Sequence, residues 1–488
     1  MRAPAASRAQ RTGLRTVSAR LAAHVTLEAR PDGHFFAYLD GYSLDLGWFS
    51  AAAAERVLGL QKGQRLNALQ SGGRTTGREI ESLMRRLARR GLLEYPVGPS
   101  RGADAVVIEP QVADYWPQTS PLGNGDILAL SRFAYLRRRG DTMVLESPRA
   151  GALFRICDPK IATALTLLST PQQVGRLRRH DGFPGIELLA LLVDCHILFK
   201  VDADHDGDLR RAEGNAELVL WDFHDLLFHA RSTPGRHANP LGGTYSYAGV
   251  APAPPAVRRH WPGKAIDLPA HSDAPAEASP IARLLHKRHS IRSYDDRRPI
   301  MLDELARFLD STARVVSTWQ SRIDLGGVQP TVPYAARPYP SAGASYELEL
   351  YLAVHKCDGL AGGFYHYDAG GHALVPIEVG LPDLQALFSE AQSAMDAPAT
   401  PQIVITVAAR FGRVSWKYSS LAYALILKDA GVLIQTLYLM ATDMGLGGCA
   451  IGSTDIDLFA KMTGIEFHIE GPVGQFALGR GLPAEAPE

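Results

Sequence analysis

The chain has 488 residues, 46% hydrophobic and 21% charged, the make-up of a folded globular protein too long for one core. Lysine plus arginine equal aspartate plus glutamate at 51 each, so the formal net charge is zero and the whole molecule is no general binder of polyanions. The four cysteines, Cys157, Cys195, Cys357 and Cys449, contain no Cys-x-x-Cys pair. This excludes a disulfide framework, argues against a metal site and fits a reducing cytoplasm.

Basic charge gathers at the start: residues 1–100 hold fifteen Lys/Arg against eight Asp/Glu. The basic N-terminus has no following apolar core, so no signal peptide is expected. The most apolar stretches, 188–199 and 421–441, are broken by Asp194 and by Lys428 and Asp429. Neither reaches the ~20 clean residues of a bilayer span, so no membrane association is expected.

Residues 34–46 alternate around Asp40-Gly41 and predict a hairpin, with Phe36, Tyr38, Tyr42, Leu44 and Leu46 on the apolar side. Ser50 is placed to cap a helix over 51–60. Ile80, Leu83, Met84 and Leu87 recur at helical spacing within 77–90, Gly91 ends that helix, and 92–95 return as a strand. Hairpin, helices and strand are the layout of a winged-helix module, over 15–97. A similar order follows over 129–205: a hairpin at 142–156, a helix capped by Asp158, a short helix after Thr170, a third over 185–194 and a strand at 197–201. Residues 98–128 between them read as a Pro/Gly-rich linker.

Arg85, Arg86, Arg89 and Arg90 crowd the helix of the first module and invite a nucleic-acid reading, although Arg86 and Arg90 lie on the face where solvated arginines are ordinary. Residues 206–279 form a connecting segment. It includes Trp221-Asp222-Phe223-His224 with His229 and Arg231, then a stretch over 251–280 with seven prolines. His224 and His229 are five apart, which is not the spacing of paired ligands on one helix face, and no metal is expected.

The last region, 280–488, carries the chemistry. Lys287, Arg288, His289, Ser290 and Arg292 crowd six positions, either as a solvated basic run or as a phosphate grip. Pro340-Ser341-Ala342-Gly343-Ala344 precedes an alternating strand; small residues there allow close backbone approach or simply make a turn. Trp416-Lys417-Tyr418 is either a surface pair or a site for proton removal. Gly445-Leu446-Gly447-Gly448 ends a long helix over about 421–444, which is the wrong context for a dinucleotide fingerprint. Cys449 reads as a packing residue, and Gly479-Arg480 closes the set.

In this order these motifs resemble the flavin-binding nitroreductase fold, and within it the azoline dehydrogenases of the SagB type, which act on ribosomally made peptides. The resemblance is clear over about 218–485 and weak over 1–205. It implies an α+β chain with a C-terminal nitroreductase-like FMN domain behind two winged-helix-like modules. It further implies a homodimer binding flavin mononucleotide (FMN) at the subunit interface. By the same resemblance Arg288, His289, Ser290, Arg292 and Arg480 grip the phosphate. Pro340, Ser341, Ala342 and Gly343 pack against the flavin ring, and Gly447 and Gly448 reach its edge. The Trp-x-Phe-His stretch suggests a structural or interface role. The N-terminal modules resemble peptide-recognition elements, which pair a sheet edge with a leader peptide; a dimerisation role is the alternative.

The Lys417-Tyr418 pair points, through the resemblance, to oxidation of thiazoline or oxazoline rings to azoles in a modified precursor peptide. FMN would take a hydride, and Lys417 or Tyr418 the ring proton. A cyclodehydratase is a candidate partner; nucleic acid is not. The competing readings are an NAD(P)H-dependent nitro- or ene-reductase and a non-catalytic peptide-binding scaffold.

Overall fold

A computed structural model describes residues 14–482, apart from 31, 40–41, 71–73, 89–90, 99–102, 113–114, 181–182, 203–207, 215, 234–244, 246–247, 259–261 and 269–278. The Asp40-Gly41 turn, Arg89 and Arg90 lie outside the described residues. The chain divides into two compact units, residues 1–231 with 235–238, and residues 232–234 with 239–488.

The first unit is built on one seven-stranded antiparallel sheet. Its order is Gln64–Arg65, Ser18–Leu21, Leu93–Val97, Val106–Pro110, Ala152–Ile156, Thr142–Glu146, Tyr135–Arg139. The stretch read as a linker contains the strand Val106–Pro110, which pairs with Leu93–Val97 on one side and Ala152–Ile156 on the other. Tyr95, Ile108 and Phe154 thereby line up across three strands, each fully buried. The two stretches expected as separate modules share this sheet and one core, running from Val17 to Leu198.

Local expectations hold more closely. Ser50 accepts from the Ala53 amide at 3.4 Å and caps the helix Ala51–Leu58. The helix Arg74–Ala88 buries Ile80, Leu83, Met84 and Leu87. In the hairpin His34–Leu39/Tyr42–Trp48 the register shifts between Phe35 and Phe36. The buried side chains are Phe35, Ala37 and Leu46, in place of Phe36 and Tyr38, which pair with Asp45 and Ser43.

The histidines near 224 separate. His229 is buried and stacks on Trp221, with centroids 5.9 Å apart, whereas His224 stays largely exposed. Arg231 donates to buried Glu146 at 2.8 Å, so this helix, Phe223–Arg231, is tied to the strand Thr142–Glu146. Arg85 bonds Glu81 at 3.2 Å, and Arg86 donates to the Leu46 carbonyl at 2.5 Å.

The second unit centres on a six-stranded antiparallel sheet. Its order is Ala373–Ile377, Gly363–Asp368, Leu348–Val354, Ile403–Arg410, Glu470–Gly479, Gly447–Ile451. Ile403–Ala409 are all buried, as a strand covered on both faces requires. The helix Ala422–Asp443 is long and apolar enough, by length and composition, to cross a membrane. It is nonetheless placed as a core helix: Ile426, Asp429, Ala430, Leu433, Leu437 and Ala441 form its buried stripe, with contacts to the strands of this sheet. A separate ribbon pairs Ser317–Arg322 with Thr331–Ala336.

Candidate active site

The basic stretch sits at the end of the helix Pro280–Lys287, and Arg288 is its C-terminal cap residue. From there the chain leaves helical geometry and is stitched to two other segments. The Ile291 amide donates to the Gly448 carbonyl at 2.9 Å, Asp295 to Arg480 at 2.8 Å, and Leu482 to Ser293 at 3.0 Å. Ser290 Oγ lies 2.8 Å from the Tyr438 hydroxyl, which accepts the Ala450 amide at 2.7 Å. The Arg288 guanidinium sits over the Tyr438 ring at 5.1 Å. His289 Nδ1 meets the Lys287 carbonyl at 3.0 Å, and Arg292 is exposed. Two guanidinium groups and an anchored hydroxyl on one irregular segment are a donor set that fits a phosphate.

Gly447 and Gly448 do not end the helix; Gly445, at φ +66°, follows its last turn, and the other two open the edge strand Gly447–Ile451. A Cβ on Gly447 would lie 2.8 Å from Ile291 Cγ2 and 2.9 Å from Gly481 Cα. The glycine is thus required where three segments meet. Arg480 is directed elsewhere than the Ser290 segment: its guanidinium bonds Glu304 at 2.5 Å. Burial works to raise the Glu304 carboxyl, but the Met301 amide and Arg480 outweigh it and hold it below its ordinary value. The Arg480 amide and the Ile300 amide both donate to Gln402 Oε1, at 2.9 and 3.0 Å, and Gln402 is fully buried.

The second cluster forms around the turn Ser341–Ala344. Gly343 (φ 55°), Ala344 (φ 53°) and Tyr346 (φ 45°) all adopt left-handed backbone, which costs a non-glycine residue about 1–3 kcal/mol. Side chains hold the turn in that path. Ser341 Oγ accepts from the Tyr346 amide at 2.9 Å, and the Ala342 amide donates to Asp429 at 2.8 Å. Pro340 is exposed and makes the approach to the turn.

Lys417 and Tyr418 converge on Gly343. After the strand Ile403–Arg410 and the short helix Gly412–Ser415, the amides of both residues bond the Val414 carbonyl, which turns their side chains together. Lys417 Nζ donates to the Gly343 carbonyl at 3.0 Å and lies 5.5 and 5.3 Å from the Tyr334 and Tyr418 rings. A Cβ on Gly343 would fall 2.4 Å from Lys417 Nζ and 2.3 Å from the Tyr418 hydroxyl. Trp416 and Lys417 are exposed and Tyr418 is half-buried. Tyr438 and Asp429 stand nine residues apart on the long helix, so the two clusters are separated along it by roughly 13 Å.

Sequence reasoning missed Glu347, Asp429, Gln402, Glu304 and Tyr438. Asp429 had a signal, a charge within an apolar run. Glu347 had none: it shares its parity with Glu349 in an alternating strand and so reads as solvent-facing. Among the described residues no three side chains converge as a metal site.

Residues 285–480 match the nitroreductase family model, and residues 128–238 match the model of the cyanobactin oxidase ThcOx. A protein of Methanocaldococcus jannaschii that bears the name nitroreductase is 29% identical over 177 residues, 35% of this chain and 77% of the relative. Among solved structures, a nitroreductase from Ralstonia eutropha is 22% identical, over 45% of this chain and 89% of its own, with a TM-score of 0.33. The Escherichia coli microcin synthetase McbBCD complex with truncated pro-MccB17 bound is 19% identical, over 55% and 97%, with a TM-score of 0.39. The second unit thus carries a nitroreductase-family domain, which makes the chain an oxidoreductase. A segment related to a cyanobactin oxidase precedes that domain.

Proposed function

We propose that the protein is an FMN-dependent azoline dehydrogenase that oxidises thiazoline or oxazoline rings in a ribosomally synthesised peptide. The observation that carries this reading is the convergence of Lys417 and Tyr418 on Gly343. It places two groups able to move a proton against a turn at the residue that has no side chain of its own. The cyanobactin-oxidase match over 128–238 supports a peptide as the substrate.

Arg288, Ser290 and Arg292 would hold the FMN phosphate. Arg480 would join them only by sharing or leaving Glu304. The Ser341–Gly343 turn would meet the ring, and His289, Gly447 and Gly448 would shape the cradle between. When bound, FMN supplies a hydride acceptor. The protein's own part is the proton: Lys417 Nζ or the Tyr418 hydroxyl takes it from the ring carbon next to the one that loses hydride, and the two share the position beside Gly343.

The active form is a homodimer in this reading. The helix Pro280–Lys287 buries none of its residues and leaves Ile281 67% and Leu285 48% exposed, an apolar face that suits a second copy. With the two clusters roughly 13 Å apart on one helix, a complete site would draw on both chains. In the first unit the strand Tyr135–Arg139 ends the seven-stranded sheet and offers an edge for a leader peptide in the winged-helix manner. A cyclodehydratase would supply the azoline.

The nitroreductase relative keeps one alternative in view, reduction driven by a nicotinamide cofactor. Incubating flavin-loaded protein with an azoline-bearing peptide in air tests between them. Loss of two hydrogens per ring is expected. Rapid NAD(P)H consumption with no change in the peptide would favour the alternative.

A further inference from the structure

Ser341 sits between two carboxyl groups. Ser341 Oγ has three close neighbours: the Tyr346 amide at 2.9 Å, Asp429 Oδ2 at 3.0 Å and Glu347 Oε2 at 3.2 Å. A serine hydroxyl carries one hydrogen and two lone pairs. The Tyr346 N–H occupies one lone pair. The single hydroxyl hydrogen serves one carboxylate, and the other carboxyl makes a favourable contact at this distance only if it brings a hydrogen of its own.

The surroundings decide which carboxyl that is. Asp429 Oδ2 also accepts the Ala342 amide at 2.8 Å and so has two donors. Glu347 is fully buried and its Oε1 has no hydrogen-bond partner. Its own main-chain N–H helps the ionised form, but a buried carboxylate with one oxygen unpartnered and Asp429 beside it would still be costly. We propose that Glu347 is a neutral, hydrogen-donating positioning residue that holds the Ser341–Gly343 turn, and through it Lys417, by a Glu347–Ser341–Asp429 chain.

In that chain the Glu347 O–H donates to Ser341 Oγ, Ser341 donates to Asp429, and Asp429 anchors the Ala342 amide. The next carbonyl along, Gly343, receives Lys417. Burial, opposed by the residue's own main-chain N–H and reinforced by the charge of Asp429, pushes the Glu347 carboxyl up to about 7. The other groups facing it make no hydrogen bond to it, although Arg413 is close enough to feel its charge. From the helix Gly412–Ser415, Arg413 gives its Nε and Nη2 hydrogens to the Ser345 carbonyl at 3.1 and 2.9 Å. From the preceding loop comes the buried Tyr339 hydroxyl, itself unpartnered. Arg337 donates to the Leu348 carbonyl at 3.0 Å and lies 3.6 Å from Glu349. Raising the pH therefore removes the donor, places two anions beside one hydroxyl and loosens the turn under Lys417. The consequence for Lys417 rests on the proposed reaction; the protonation does not.

The test uses the full chain and no turnover. Infrared spectra of protein carrying ¹³C-labelled glutamate, between about pH 5.5 and about pH 8.5, should show neutral glutamic acid absorption that fades through about pH 7 and is weaker in Glu347→Gln by one carboxyl, the remainder coming from Glu390, which burial pushes up to about 7 as well. Hydrogen exchange at the Ala342 and Tyr346 amides, corrected for base catalysis, should lose protection by about tenfold over that range in the wild type. In Glu347→Gln, whose amide is a permanent donor, the protection should stay flat. A spectrum with no neutral glutamate band at the acid end would overturn the proposal, even if no variant folds. Wild-type protection that does not change with pH would overturn it too. Failure of azole formation alongside a titrating band would refute the reaction assigned above and still support the carboxyl chain.

Discussion

The side-chain nitrogen of Lys417 donates to the main-chain carbonyl of Gly343 at 3.0 Å across 74 positions of sequence. Two motifs that meant little apart are thereby one piece of structure. The residue at 343 cannot carry a side chain without displacing the lysine.

Gly343→Ala tests that dependence. The added methyl would land 2.4 Å from Lys417 Nζ and 2.3 Å from the Tyr418 hydroxyl, on backbone at φ 55°. Azole formation per bound flavin should fall about a hundredfold, because a displacement of about 1 Å is enough for such a loss. Turnover equal to the wild type would show that the lysine need not sit where it does.

Arg292→Ala and Arg480→Ala should separate by readout. Arg292 is exposed, so its loss should weaken flavin retention by about 1.5–3 kcal/mol and leave the denaturation midpoint of the flavin-free protein alone. Arg480 holds Glu304, so its loss should also lower that midpoint, through a loss of about 1–3 kcal/mol in unfolding free energy. Identical effects of the two changes on flavin affinity and stability would contradict the placement of Arg480 on Glu304.

Glu347 should give stability an unusual pH dependence. Its carboxyl is pushed up from 4.5 to about 7, so the folded protein binds this proton more tightly than the unfolded chain. The stability it contributes is complete below 4.5 and is lost as the pH rises through about 7. Glu304, held below its ordinary value, works in the opposite sense and loses its contribution in acid. Urea denaturation at about pH 5 and about pH 8 should show the wild type losing ground to Glu347→Gln as the pH rises. A constant difference between them would count against the shifted carboxyl.

The exposed helix face predicts a second copy of the chain. Ile281→Asp with Leu285→Asp should convert a dimer into a monomer by sedimentation and leave the first unit folded by circular dichroism. A wild-type monomer that holds flavin and turns over would remove the dimer from the account.

Local order was legible where a short-range rule acts on its own. The stripe Ile80, Leu83, Met84 and Leu87 and the Ser50 cap needed only periodicity and a hydroxyl. What depends on pairing was not legible. The strand Val106–Pro110 lies inside Pro/Gly-rich sequence and is fixed by neighbours 9 to 50 residues away in register, such as Val97 and Ile156 opposite Val106, not by its own pattern. In the hairpin the cross-strand register pairs Phe36 and Tyr38 with Asp45 and Ser43 and buries Phe35 and Ala37 in their place, which the alternation alone did not reveal. In the site, Lys417, Tyr418, Ser341 and Gly343 stood out through the family resemblance. Glu347 did not, since nothing in an alternating strand marks the one acidic position that turns inward.

The most direct test of the central claim is the mass of an azoline-bearing peptide after incubation in air with flavin-loaded wild type, Lys417→Ala, and Tyr418→Phe. The account predicts loss of two hydrogens per ring with the wild type. It predicts a rate about 10²–10⁴ lower in each variant, with bound flavin unchanged, because a general base is worth that much. Unimpaired azole formation by the double variant would contradict the role given to Lys417 and Tyr418. No mass loss with the flavin-loaded wild type would contradict the reaction itself.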